Sequence, residues 1–322
     1  MLEGDFEIFE KDNRKVVNIM LVIPAMADLL QQICNGLLLG SLFALVAVGY
    51  TMVYGILRLI NFAHCDIFMM AMYIAFFTVA ADFKWWFISF VVVIIITAVL
   101  GMGVEKVAYA TLRRQNAPKI SMLISAIGAS YLLENLATVI FTGKPKTFPQ
   151  IPFFVDMIQL GSVRLQRLAI IVPVVTFVLM AVLLLLINKT KAGMAMRAVS
   201  KDLETAKLMG INVNGTISFT FAIGSAIAAV GAILWGLKYP QISPLVGVMP
   251  GLKCFIAAVI GGIGNVKGAV IGGIILGFVE VMAVTFFPSI SAYKDIFSFV
   301  ILILILLFRP NGLIGEKIAE KV

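Results

Sequence analysis

Residues 168–187 read LAIIVPVVTFVLMAVLLLLI, twenty residues without one charged side chain. At about 1.5 Å of rise per residue, such a run makes a helix about 30 Å long, the thickness of a bilayer's hydrocarbon core. Lipid offers backbone N–H and C=O groups no partners, so a run this apolar crosses as a helix, which satisfies them internally. Arg164 and Arg167 stand before it, and Asn188, Lys189 and Lys191 after it.

Comparable runs lie on both sides. They cover residues 33–56, 68–81, 85–104 and 120–141 before it, and 217–237, 269–287 and 292–308 after it. The run 68–81 is short unless it starts back at Asn61. A further apolar stretch, 254–263, is too short to span comfortably and leads into glycines. Of the 322 residues, 61% are hydrophobic and 13% charged, and mean hydropathy is +1.06. A soluble protein of this size is about half apolar and a quarter charged. The chain is therefore an integral membrane protein of all-α class, with no room for a separate soluble catalytic domain. Cys34, Cys65 and Cys254 lie far apart without metal-ligand spacing and read as packing residues. The start is acidic (Glu3, Asp5, Glu7, Glu10), and its apolar run 16–26 is broken by Asn18 and Pro24. Residues 1–30 thus read as a tail and not as a signal peptide.

Charge sets the expected orientation. Formal net charge is +8, and the basic residues gather in loops, which argues for membrane orientation and against nucleic-acid binding. Segment 105–119 carries Lys106, Arg113, Arg114 and Lys119. Segment 188–216 carries Lys189, Lys191, Arg197, Lys201 and Lys207, and the tail from 309 carries Arg309, Lys317 and Lys321. Placing all three in the cytoplasm puts the N-terminus outside. It also requires an even number of crossings between residue 216 and the tail. Only three long runs lie there, so the Gly-rich stretch 251–264 is expected to cross as well. Irregular backbone at membrane depth is tolerated where protein buries it or it lines a watery path, which makes that stretch a candidate pathway wall. Gly36, Gly40 and Ala44 recur every four residues, as do Gly273 and Gly277, and mark close helix contacts. A weak internal echo links residues 40–55 with 224–236, in helices expected to run in opposite directions.

Within the basic loop, residues 204–212 read ETAKLMGIN. Ser200 is a candidate helix cap, Asp202 and Glu204 suit a positive first turn, and Gly210 suits a left-handed close. Leu203, Ala206 and Met209 recur at helical spacing. So short a helix is not stable alone in water and needs something to pack against.

Other chemistry is sparse. Gly143-Lys144-Pro145 lacks the glycine spacing of a phosphate-binding loop, and the sole histidine, His64, cannot make a zinc site by itself. Embedded ionisable groups cost ~2.5–3.5 kcal/mol each on insertion and so mark candidate functional positions. Glu134, beside Asn135, and Glu280 are such positions and read as isolated. Asn61, His64 and Asp66 interrupt LINFAHCDIFMMAMY at the junction of two runs, where they suit either a gate or the capped start of a helix.

Several stretches together resemble the membrane subunits of branched-chain amino acid ABC importers. Residues 35–73, NGLLLGSLFALVAVGYTMVYGILRLINFAHCDIFMMAMY, resemble their opening. Residues 191–212, KAGMAMRAVSKDLETAKLMGIN, are similar to their coupling loop, with Glu204, Ala206 and Gly210 on the E-A-A-x-x-x-G spacing. Residues 257–280, AAVIGGIGNVKGAVIGGIILGFVE, and 307–322, LFRPNGLIGEKIAEKV, resemble their penultimate segment and C-terminal end. The family commonly has Gly-Glu where this chain has Cys65-Asp66, a departure that bears on substrate.

The resemblance implies a polytopic bundle of about eight to ten transmembrane helices around a central pathway, like that of the larger importers. It also implies a related second permease subunit, two ATP-binding cassette ATPases that hold the ATP and magnesium, and an external substrate-binding protein. No cofactor is expected on this chain. Arg197, Asp202, Leu203, Glu204, Ala206, Met209 and Gly210 are the expected coupling residues. Asn61, His64, Asp66, Glu134, Asn135 and Glu280 are the expected pathway or gate residues. An autonomous carrier or channel is the competing class, disfavoured by the coupling motif and by the few buried ionisable groups. A membrane enzyme would have only Asn61, His64 and Asp66 to work with.

Overall fold

The computed structural model describes residues 26–81, 83–160 and 163–315. The expected N-terminal tail lies outside the described residues up to 25, and the end of the expected C-terminal tail lies outside them from 316. Apolar runs become helices with bounds close to those read from hydropathy. They are α1 (Met26–Leu57), α2 (Ala63–Ala81), α3 (Trp86–Val104), α4 (Lys119–Phe141), the short α5 (Pro152–Val155) and α6 (Leu168–Lys189). Then come α7 (Lys191–Lys201), α8 (Leu203–Leu208), α9 (Val213–Lys238), α10 (Val248–Gly261), α11 (Val266–Phe286) and α12 (Lys294–Phe308). Among the described residues, eight helices are long and apolar enough to cross a membrane, and α10 is a shorter apolar helix. Two small antiparallel pairs close the end opposite the basic loops. Strand β1 (Lys146–Thr147) pairs with β4 (Gln241–Ile242), and β2 (Met157–Leu160) pairs with β3 (Val163–Gln166).

Helix α1 is the central pillar, buried over nearly its whole length, and it packs on α6, α9, α10 and α11. The small-residue stripes explain how. A Cβ on Gly277 would meet the Gly40 backbone at 2.1 Å, and one on Gly273 would meet Ala44 at 2.6 Å. The two stripes therefore face each other across the α1–α11 crossing, and backbone-to-backbone approach leaves no room for larger side chains. Gly49 and Gly224 make the same kind of contact between α1 and α9, with a Gly49 Cβ only 2.6 Å from the Gly224 carbonyl oxygen. Helices α1 and α9 run in opposite directions, as the echo between them required.

The three basic segments gather at one end. Arg58, just past α1, donates to the Ser200 carbonyl at 3.5 Å, and Arg113 donates to Asn214 at 2.9 Å. Leu313 and Ile314 N–H groups donate to Ile260 and Gly261 at the end of α10. The chain reaches that end from the β4 strand through non-helical residues 243–247 and then α10, a helix of 14 residues. Gly247 and Gly251 at the top of α10 lie against Cys65, where any Cβ would clash at 2.3 and 2.1 Å. One expectation needs correction. Residues 105–119 are mostly not a loop: Glu105–Ala110 is a π-helical turn and Thr111–Arg114 another helical turn, both continuing α3. Charge counting detects basic residues near a membrane end, and it carries no information on whether they are helical.

Candidate coupling surface and transmembrane polar groups

Helix α8 is built by its two ends. The Asp202 side chain caps it, with Oδ1 accepting from Glu204 N at 3.0 Å and Thr205 N at 3.2 Å. The expected cap, Ser200, instead sits in the last turn of α7 and donates to the Arg197 carbonyl at 2.8 Å. Two candidate caps two residues apart are not separable by residue type alone. At the other end Gly210 has φ +79°, and Ile211 N donates to Ala206 O while Gly210 N donates to Lys207 O, each at 3.1 Å. That pair of bonds is the Schellman close, which requires a left-handed residue at this position. Asn212 then caps α9 by accepting from Gly215 N at 3.0 Å. Arg197 donates to Asn188 at 3.4 Å and braces the loop internally.

The stripe Leu203, Ala206, Met209 does not face one way. Ala206 is buried within the chain, whereas Leu208 and Met209 are 86% and 78% exposed and Leu203 38%. The helix rests on α7 and α9 through Ala206 and projects an apolar tip at Leu208 and Met209. Sequence periodicity missed Leu208, which lies off the stripe and is the most exposed of these residues.

The polar residues at the α1–α2 junction have separate partners. Asn61, buried, accepts from the Tyr109 hydroxyl of the π-turn at 3.0 Å. His64, buried, stands edge-on to Tyr50 with ring centroids 5.9 Å apart, and a Cβ on Gly49 would lie 2.9 Å from its imidazole. Asp66, also buried, accepts from Ser130 on α4. Glu134 lies one turn beyond Ser130, and Asn135 donates back to the Tyr131 carbonyl at 2.7 Å. The structure thus brings Asp66 to Ser130 and Glu134 of α4, leaves Asn135 exposed, and points Asn61 towards the end of α3 and His64 towards α1.

Glu280 is not isolated, which corrects the expectation. Both of its oxygens lie 2.8 Å from Lys253 Nζ on α10, and Lys294 Nζ lies 3.4 Å away. Lys253 also meets Asp295 at 2.7 Å. This ion cluster joins α10, α11 and the start of α12. A second one was also missed. Buried Glu105 accepts from Arg113 at 2.8 Å and from Ser218 at 2.5 Å, and Arg113 reaches Asn214. No sequence spacing links 253 with 280 or 105 with 218, so neither cluster was legible before the fold.

A basic end bearing a short capped helix with an apolar tip, on a bundle of long apolar helices, is the frame of a polytopic all-α membrane protein. The chain belongs to the branched-chain amino acid transport system permease component family, whose model matches residues 32–306. It is 41% identical over 311 residues to the high-affinity branched-chain amino acid transport system permease protein BraD of Pseudomonas aeruginosa, covering 93% of this chain and 100% of that one. It is 40% identical over 304 residues to LivH of Escherichia coli K12, a permease of the same description, covering 91% and 97%. A more distant likeness, 27% over 241 residues, is to the ribose import permease protein RbsC of Haemophilus influenzae, covering 72% and 71%. No solved structure matches the chain significantly.

Proposed function

We propose that this chain is the membrane subunit of an ATP-driven importer of branched-chain or similar hydrophobic amino acids, working by alternating access in a prokaryotic plasma membrane. The observation that carries this reading is the exposed Leu208–Met209 tip of α8, held out from the basic end of a chain in this family. Two adjacent exposed apolar side chains on a helix rimmed by charged residues suit a protein partner. Partner ATPases would dock there on the cytoplasmic side, and the N-terminus would lie outside. A second permease subunit and an external binding protein complete the system. The pathway would run along the α4 face that carries Glu134 and Asn135, with Asp66 and Ser130 behind it.

The test is reconstitution with the ATPases, the second subunit and the binding protein in proteoliposomes. Radiolabelled leucine should accumulate only with ATP and binding protein present. Accumulation driven by an ion gradient without ATP would instead establish a secondary carrier. Competition by unlabelled amino acids, short amides and urea then ranks the substrates.

Asp66→Asn separates a pathway role from a packing role. Asparagine keeps the size and still accepts from Ser130, and it relieves the cost of a buried charge. Melting temperature should hold or rise. Leucine uptake should fall by about tenfold, the effect of losing about 1.4 kcal/mol of stabilisation along the pathway. Uptake at the wild-type rate would remove Asp66 from the pathway.

A further inference from the structure

We propose that the π-turn Glu105–Ala110 at the end of α3 is the joint that carries movement of α8 to the α1–α2 junction. This rests on the docking of ATPases at α8. A continuous hydrogen-bonded route joins the two. Helix α8 runs through its Schellman close directly into the Asn212 cap of α9. In the first turns of α9, Asn214 and Ser218 share a face, four residues apart. Asn214 accepts from Arg113 Nε at 3.2 Å and Nη2 at 2.9 Å, and Ser218 donates to Glu105 at 2.5 Å. Glu105 and Arg113 bracket the π-turn and pair with each other at 2.8 Å. Within the bracketed turn, Tyr109 packs its ring on Phe221 of α9, with centroids 5.4 Å apart, and donates to Asn61 at 3.0 Å.

The arrangement has a mechanical consequence. A displacement of the start of α9 cannot leave the end of α3 behind without stripping Glu105, a fully buried carboxylate, of its partners. Such stripping is expensive, so the two ends move together. The π-turn is the compliant element: π-turns inside α-helices are rare and recur at functional sites. Among the described residues its polar contact forward is the Tyr109–Asn61 bond, and Asn61 lies two residues before the start of α2, which carries Asp66. Tyr109 and Glu105 are positioning residues in this account, and neither touches substrate.

The test uses the whole complex in lipid nanodiscs, with the native cysteines replaced and a reporter Phe62→Cys beside Asn61. Phe62 is 42% exposed. Labelling by a maleimide is timed with and without ATP and vanadate. In the parent, nucleotide should change the labelling rate by about threefold or more; in Tyr109→Phe the change should shrink to under about 1.5-fold, since coupling runs through one two-state contact. ATPase co-purification and melting temperature should stay near parental values. A structural role alone would move stability and leave the nucleotide response intact. Glu105→Gln serves as the second variant and should blunt the response in the same way. An unchanged response in both variants overturns the proposal, as does a parent without any response. Leu208→Asp is read separately by co-purification. If it binds ATPase normally, the docking reading falls and takes this proposal with it.

Discussion

With Gly210→Val, ATPase association and leucine uptake are both expected to drop to about a tenth of wild type or less, because a left-handed L-residue costs roughly 1–2 kcal/mol and a β-branched one more. Nothing lies within 4 Å of where a Cβ would sit, so the penalty is all backbone, at φ +79°. The Schellman bonds of Gly210 and Ile211 need that conformation, and α8 has only six residues with which to resist unwinding. Once the close is lost, the Leu208–Met209 tip no longer has a fixed direction. Gly210→Asn is the informative companion, since asparagine tolerates the left-handed region. It should keep most of the association. Co-purification from detergent, with the permease quantified independently, reads both variants. Equal yields from Gly210→Val and wild type would show that α8 needs no left-handed close.

Lys253→Met is expected to cost about 3–5 kcal/mol of stability, the scale of breaking a buried ion pair by removing one partner. Glu280 has 3% of its side chain exposed and would keep only Lys294 at 3.4 Å, while Asp295 would lose its 2.7 Å contact. Neutralising both partners should undo much of that loss, because the buried Glu280 carboxylate goes with its partner, while the remaining Asp295 and Lys294 are 32% and 45% exposed and reach water. The melting temperature of Lys253→Met should therefore fall well below that of Lys253→Met combined with Glu280→Met. A Lys253→Met protein that melts like wild type would show the cluster to be dispensable for folding. The result matters for function because the cluster ties α10, which begins deep against Cys65, to α11 and α12.

The sequence disclosed the existence and order of the membrane helices, since hydropathy depends on composition along a single segment, but some starts lie up to seven residues earlier, as at Met26 against residue 33. The short apolar stretch was also legible as an element, and α10 ends at the basic end, where Leu313 and Ile314 bond to Ile260 and Gly261. The glycine stripes of α1 and α11 were legible as close contacts, and the fold shows that they contact each other. What stayed hidden depends on tertiary neighbours. Lys253 stood at the edge of an apolar run and looked like a boundary, yet its partner is 27 residues away on another helix. Arg113 was counted among the basic residues of a loop and Glu105 was passed over, and their helical continuation brings them onto Asn214 and Ser218. Ala206 was read as part of an outward stripe, but a six-residue helix resting on two neighbours must bury something, and it buries the smallest side chain.

We propose that the α8 tip is where partner ATPases drive this permease. A single cysteine at Leu208, in an otherwise cysteine-free chain, tests it most directly when the assembled complex is treated with a short bismaleimide. The control is Val139→Cys on α4, which is 80% exposed near the opposite end of the bundle. A cross-link to an ATPase subunit is expected from position 208 and none from 139. Cross-links to the ATPase from 139 alone, or none from 208 in a complex that hydrolyses ATP normally, would contradict it.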